Sequence, residues 1–148
     1  MKRSLIIFIT SWFYVGRLPK MPGTWGTIAT IPLYALMARL GPVPYGMVLL
    51  LSIAVSLPLV ESASRYLNSK DPPSVVLDEV IGFLVTMFCI PFGIIEVLLG
   101  FFLFRLFDIL KPYPIKGLER IRGGILWDDL VAGVYANILM RIIILLAK

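Results

Sequence analysis

The sequence predicts an all-α protein, a compact bundle of helices with short loops that passes through a membrane several times. Three observations predict it. Of 148 residues, 59% are hydrophobic and only 16% charged, with a mean hydropathy of +0.91, whereas a soluble domain carries roughly a quarter charged residues. The apolar residues are gathered into stretches separated by short polar connections. Backbone amides in hydrocarbon must be paired within the spanning segment, and no alternating barrel pattern is present, so the stretches are helices. The length suits one membrane domain over residues 1–148, without repeats or low-complexity tracts.

The elements follow in order. Residues 4–15 (SLIIFITSWFYV) fall short of the roughly 20 residues that a span needs, which leaves a re-entrant, an interfacial or a tilted partial helix open. Lys2 and Arg3 imitate the start of a signal peptide, but no small-residue cleavage site follows. Residues 24–40 and 45–60 are the next predicted spans, hinged by GPVP. Residues 79–95 and 97–110 come after them, with IPFG as the turn, and residues 129–147 close the chain. The shorter ones need extended ends, tilt or a locally thinned bilayer.

Charge placement orients the bundle. If the spans alternate, residues 16–23, 61–78 and 111–128 share one side. With the adjoining span ends they hold Arg17, Lys20, Arg65, Lys70, Arg105, Lys111, Lys116, Arg120 and Arg122. The other side holds only Arg39, Arg141 and Lys148. The positive-inside rule makes the richer side cytoplasmic. The acids follow the same partition, with Glu96 alone on the far side. Any chemistry therefore sits on one face.

Two pairs of acids stand at the mouths of apolar runs: Asp78 and Glu79 in VVLDEVIGFLV, Asp128 and Asp129 in DDLVAGVYANILM. An N-cap at Asp78 and Asp128, helped by the helix dipole, accounts for one acid per helix. A second adjacent acid repels the first and resists desolvation. A shared divalent cation removes both costs, and Mg²⁺ takes one or two carboxylates with phosphate and water. Acids near membrane depth point to function.

A third group lies in FRLFDILKPYPI (residues 104–115). Arg105 and Asp108 are spaced i, i+3 and share a helix face, and Lys111 precedes the Pro112 that ends the helix. One reading is a snorkelling anchor with a local salt bridge. The other makes Asp108 a metal ligand and gives Arg105 and Lys111 an anionic group, arginine by a bidentate hold and lysine as a point charge. PGTWGT (residues 22–27) offers hydroxyls and free amides before a helix, either an anion cradle or an ordinary turn. SKDPPS (residues 69–74) is either a stiffened approach to Asp78 or a plain surface loop, and IRGGIL brings Arg122 ahead of Asp128. Thr24 and Lys70, from the first two of these loops, are further candidates for contact with phosphate.

Composition excludes several chemistries. The chain has no histidine, which removes histidine-dependent triads, phosphohistidine intermediates and the histidine-dependent membrane lipid phosphatases. The single Cys89 has no partner and no phosphatase-loop arginine, and reads as a small apolar packing residue. The positive charges are split among short loops, so nucleic acid is not a partner. They suit an anionic lipid leaflet instead.

Taken in order, PGTWGT, DPPSVVLDEVIG, FRLFDILKPYPI and GG…DDLVAG resemble the phosphatidylglycerophosphatase A family over most of the chain. The resemblance implies a magnesium-dependent lipid phosphatase of the bacterial inner membrane. Such an enzyme cleaves phosphatidylglycerophosphate to phosphatidylglycerol and inorganic phosphate. Carried over by motif, the functional residues are Asp78, Glu79, Arg105, Asp108, Lys111, Asp128 and Asp129, the five acids being the implied Mg²⁺ ligands. The family's glycine-rich lead-in to the last acids is shortened here to GGILWDD, with Trp127 directly before them. A CDP-alcohol phosphotransferase also uses clustered aspartates, but its D-G-x-x-A-R signature is missing. The non-enzymatic alternative is a small membrane subunit or cation pathway whose acids pair deep in the bundle. The oligomeric state stays open.

Overall fold

The structure, a computed structural model, describes residues 2–118 and 124–147, without the side chains of Lys116 and Leu118. Seven helices are described: α1 (Arg3–Thr10), α2 (Pro22–Met37), α3 (Pro42–Leu67), α4 (Leu77–Thr86), α5 (Ile94–Leu110), α6 (Ile115–Leu118) and α7 (Gly124–Leu146). No strand occurs among the described residues, so the all-α expectation holds.

Side-chain contacts set the directions of the helices. Gly23 at the start of α2 lies against Glu79 at the start of α4 and Arg105 near the end of α5. At the opposite end, the Tyr34 hydroxyl of α2 donates to the Ile90 carbonyl at 3.1 Å, and Tyr45 of α3 donates to Leu84 at 2.9 Å. The starts of α2, α4 and α7 therefore share one end of the bundle with the ends of α3 and α5. Phe83 and Phe104 pack at the centre, both fully buried, with ring centroids 6.3 Å apart.

The first segment resolves the choice that residues 4–15 left open. Eight helical residues reach about 12 Å, and the chain then turns back. Arg3 donates to the Tyr66 carbonyl at the end of α3, the Trp12 indole donates to Ala29 in α2, and Val76 donates to Thr10. Trp12, Phe13 and Tyr14 make the reversal with φ of 48°, 58° and 68°. The segment is a hairpin that begins and ends at the acid-bearing end.

α4 corrects a predicted span. Residues 79–95 are a predicted span with IPFG as the turn, and IPFG is indeed non-helical. But α4 stops earlier, at Thr86, after ten residues, about 15 Å against a hydrocarbon core of about 30 Å. Local amides and distant side chains let it stop early. The Phe83 and Val85 carbonyls accept from the Met87 and Phe88 amides. Leu84 and Thr86 accept from Tyr45 and from Asn137 of α7, the latter at 2.7 Å. Asn137 and Arg141 also hold the Phe88 carbonyl. The acceptors that would otherwise demand another helical turn are satisfied. Cys89 follows with φ of 58° and is exposed, so it is not the buried packing residue the sequence suggested.

α3 is longer than the expected 45–60. Pro42 opens it where a missing amide costs nothing, Pro58 is accommodated inside it, and it continues to Leu67. Of the predicted GPVP hinge, Gly41 makes the turn with φ of 80°, and Pro42, Val43 and Pro44 already belong to α3. α7 likewise begins at Gly124 rather than residue 129. Only α3 and α7, among the described residues, are long and apolar enough to cross a membrane.

Candidate active site

Two glycines bring the paired acids together. Gly82 lies one turn below Asp78 in α4, and Gly133 one turn below Asp129 in α7, each at i+4 and so on the acid's own face. A Cβ on Gly82 would sit 2.8 Å from the Asp129 carbonyl oxygen, and one on Gly133 would strike the Gly82 carbonyl. With no side chain on either glycine, the two helices touch backbone to backbone beside the Phe104 ring, and the acids above converge.

The acids are not caps. Asp78 lies inside the first turn of α4, whose N-cap is Val76 with no side-chain cap bond. Asp128 and Asp129 lie beyond the first turn of α7, which contains no acid. Contrary to the N-cap expectation, neither Asp78 nor Asp128 caps its helix. Instead, oxygens of Asp78, Glu79 and Asp129 all lie within 4.8 Å of one another. Asp78 Oδ1 and Glu79 Oε2 are buried without a hydrogen-bond partner. Burial first, and then the neighbouring Glu79 and Asp129 charges, push the Asp78 carboxyl well above the usual carboxylate range.

Cationic side chains flank this group. Arg105 is paired with Asp108 at 2.5 Å on α5, the i, i+3 pair expected from sequence, and its Nε is buried without a partner. Lys111 donates to Asp128 Oδ2 at 2.6 Å, while Asp128 Oδ1 accepts from the Asp129 amide at 3.1 Å. Lys111 holds its place because α5 ends at Leu110 and Lys111 turns left-handed, with φ of 42°, ahead of Pro112. Of the five acids singled out in the sequence, Asp78, Glu79 and Asp129 form the close-set group. Asp108 and Asp128 border it, each paired with a cation.

The start of α2 completes the surroundings. The Gly23 Cα is so close to Glu79 and Arg105 that a Cβ would strike Glu79 Oε1 and come within 3.1 Å of Arg105 Nη1. The adjacent Thr24 hydroxyl is buried and unpartnered. Thus four of the buried unpartnered polar atoms belong to Thr24, Asp78, Glu79 and Arg105. Lys70, by contrast, is exposed and makes no ion pair among the described residues. Arg122 and Gly123 of IRGGIL, together with Arg120, lie outside the described residues. Gly23, Gly82 and Gly133 lie within the motifs PGTWGT, DPPSVVLDEVIG and DDLVAG, but sequence reasoning gave them no role in positioning the acids. The available signal was a glycine at a fixed interval from each acid, and beside Thr24.

Comparison with known proteins gives the family. The family model described as phosphatidylglycerophosphatase A matches residues 8–144. A protein of that name from Escherichia coli (strain K12) is 37% identical over 126 residues, covering 82% of this chain and 73% of the relative. One from Haemophilus influenzae is 34% identical over 133 residues, covering 86% and 82%. A Bacteroides thetaiotaomicron protein, named provisionally as a phosphatidylinositol-3-phosphatase, is 31% identical over 150 residues, covering 93% and 92%. No solved structure matches. Fold, site and relatives define a helical phosphatase acting on a phosphate monoester. The chain belongs to the phosphatidylglycerophosphatase A family.

Proposed function

We propose that this protein hydrolyses phosphatidylglycerophosphate to phosphatidylglycerol and inorganic phosphate, with Mg²⁺, at the cytoplasmic face of a bacterial inner membrane. The observation that carries the reading is the group of Asp78, Glu79 and Asp129, whose oxygens converge while two of them lack any partner. An all-oxygen donor set with unpaired buried carboxylate oxygens fits Mg²⁺, which prefers such ligands. Asp78, Glu79 and Asp129 would hold the ion, with Asp108 and Asp128 bordering it. When bound, Mg²⁺ neutralises phosphate charge and polarises the phosphorus centre.

The chain's own residues supply the rest. Arg105 already presents its guanidinium beside Glu79, with Nε unpaired, and suits a bidentate hold on phosphate oxygens. Lys111 carries a second positive charge at Asp128. Both stabilise charge spread over the phosphoryl oxygens as the ester bond breaks. The Thr24 hydroxyl is a donor still to be used. Lys70, exposed in its loop, acts on the approaching headgroup as a point charge. With no histidine in the chain, a carboxylate of this group takes the proton from the attacking water.

Several observations support the membrane reading. The most apolar stretches of α3 and α7 are only 28% and 33% buried, unlike core helices of a soluble protein. Their outward residues include Leu50, Leu51, Leu145 and Leu146, each at least 66% exposed. α5 shows Ile94, Ile95 and Phe102 in the same way. The acid-bearing end carries Arg17, Lys20, Arg65, Lys70, Arg105 and Lys111, against Arg39 and Arg141 at the other, which supports several passes with the site facing the cytoplasm. A lipid's phosphate then meets the acids while its acyl chains stay in hydrocarbon. The headgroup is tested by comparing phosphate release from phosphatidylglycerophosphate, phosphatidylinositol 3-phosphate and phosphatidic acid of matched chain length. The highest kcat/KM falls to the first; a higher value for either of the others reassigns the substrate.

A further inference from the structure

We propose that the N-terminal hairpin holds the phosphodiester headgroup of an anionic membrane lipid between Arg3 and Arg17, at a site separate from the acids. A cavity of about 420 Å³ is lined by Arg3, Ser4, Ile7, Tyr14 and Arg17. The Arg17 guanidinium stacks 4.7 Å from the centre of the Tyr14 ring. Arg3 is fixed by its bond to the Tyr66 carbonyl and lies 5.9 Å from the Tyr66 ring. Both arginines are exposed, and neither forms an ion pair with a described residue. The first acid in the chain is Glu61, so the hairpin's Lys2, Arg3, Arg17 and Lys20 have no acid among them.

The hairpin's backbone adds a second argument. Three successive non-glycine residues, Trp12, Phe13 and Tyr14, are left-handed, a conformation that L residues disfavour and that is retained where it serves a site. Phe13 and Tyr14 are left 60% and 45% exposed, and Leu18 and Met21, a few residues further along the chain, are exposed as well. Apolar tips beside arginines match a bilayer boundary, where acyl chain and headgroup are adjacent. A free phosphate would have no use for the apolar surround. A zwitterionic headgroup would bring its own cation against the arginines.

This inference rests on the membrane reading above but not on the chemistry at the acids, and its test separates the two. Protein purified in detergent is exchanged into dioleoyl phosphatidylglycerol or dioleoyl phosphatidylcholine, and retained lipid is counted by native mass spectrometry. The unmodified protein retains phosphatidylglycerol preferentially, and Arg3→Gln and Arg17→Gln each weaken that retention roughly fivefold. Arg17→Lys keeps the charge and most of the preference, which guards against a folding defect. Arg39→Gln, at the other end, and Asp129→Asn, at the acids, leave the preference intact. Equal retention of the two lipids overturns the proposal, as does loss of preference in Asp129→Asn but not in the arginine variants. Displacement of the lipid by millimolar inorganic phosphate overturns its lipid part. If the preference is absent while phosphatidylglycerophosphate is still hydrolysed, this inference fails alone; if hydrolysis fails while the preference persists, the proposed reaction fails alone.

Discussion

Gly133 of α7 lies against the backbone carbonyl of Gly82 in α4, so closely that a methyl group at residue 133 would strike that oxygen. The contact is a direct backbone approach one turn below Asp78 and Asp129, and it sets the spacing of the carboxylates. Gly133→Ala pushes the helices apart. Overpacking of this kind destabilises by about 1–3 kcal/mol, so the unfolding midpoint in detergent falls, and phosphate release falls further because the acids separate. Unchanged values of both would refute the account of the crossing.

Asp129→Asn removes one charge from three crowded carboxylates. In chelator, at a pH high enough to ionise the crowded acids, the variant is more stable than the unmodified protein, because buried like charges no longer repel. With Mg²⁺, the order reverses. The unmodified protein gains stability by mass action as the ion binds the folded state, whereas the variant gains little. Thermal unfolding with and without Mg²⁺ reads both effects, and equal Mg²⁺ stabilisation of the two proteins would remove Asp129 from the ligand set.

Gly23→Ala tests the start of α2. Its methyl group would displace the Glu79 carboxylate and crowd Arg105. A misplacement of about 1 Å can cost on the order of 100-fold in rate, so a loss of tenfold or more in kcat/KM is expected with modest loss of stability. Gly46→Ala is the control, since its Cβ makes only ordinary contact with Phe88 at 3.5 Å. Similar activity in the two variants would show that Gly23 does not position Glu79.

Lys111→Met leaves the buried Asp128 without its 2.6 Å partner. Leaving the buried acceptor of a half-buried pair unsatisfied costs about 1–3 kcal/mol. Adding Asp128→Asn recovers part of the stability, and the double-mutant cycle measures the coupling. A coupling near zero would mean that the pair contributes nothing to the folded site.

Some of this architecture is legible in the sequence and some is not. The order of motifs, the placement of acids and bases at one end and the i, i+3 pairing of Arg105 with Asp108 can be read along the chain, and the described residues show the pairing and the placement. The early end of α4 is not local. It depends on Tyr45, Asn137 and Arg141 reaching the Leu84, Thr86 and Phe88 carbonyls from other helices, and apolar composition carries no sign of it. The hairpin of residues 4–15 is hidden for a related reason. Trp12, Phe13 and Tyr14 adopt backbone angles that their own preferences oppose, held there by contacts with α2 and the loop before α4. The division of five acids into a close-set three and two cation-paired neighbours depends on the Gly82–Gly133 crossing. Spacing along the chain says which acids share a face, not which faces meet.

The most direct test of the central claim is phosphate release from phosphatidylglycerophosphate by the purified protein, measured in Mg²⁺ and in chelator beside Asp129→Asn. The account predicts turnover that requires Mg²⁺ and is lost in the variant while its fold is retained. Turnover that continues in chelator, or that survives Asp129→Asn, would contradict the assignment of Asp78, Glu79 and Asp129 as the metal-holding centre.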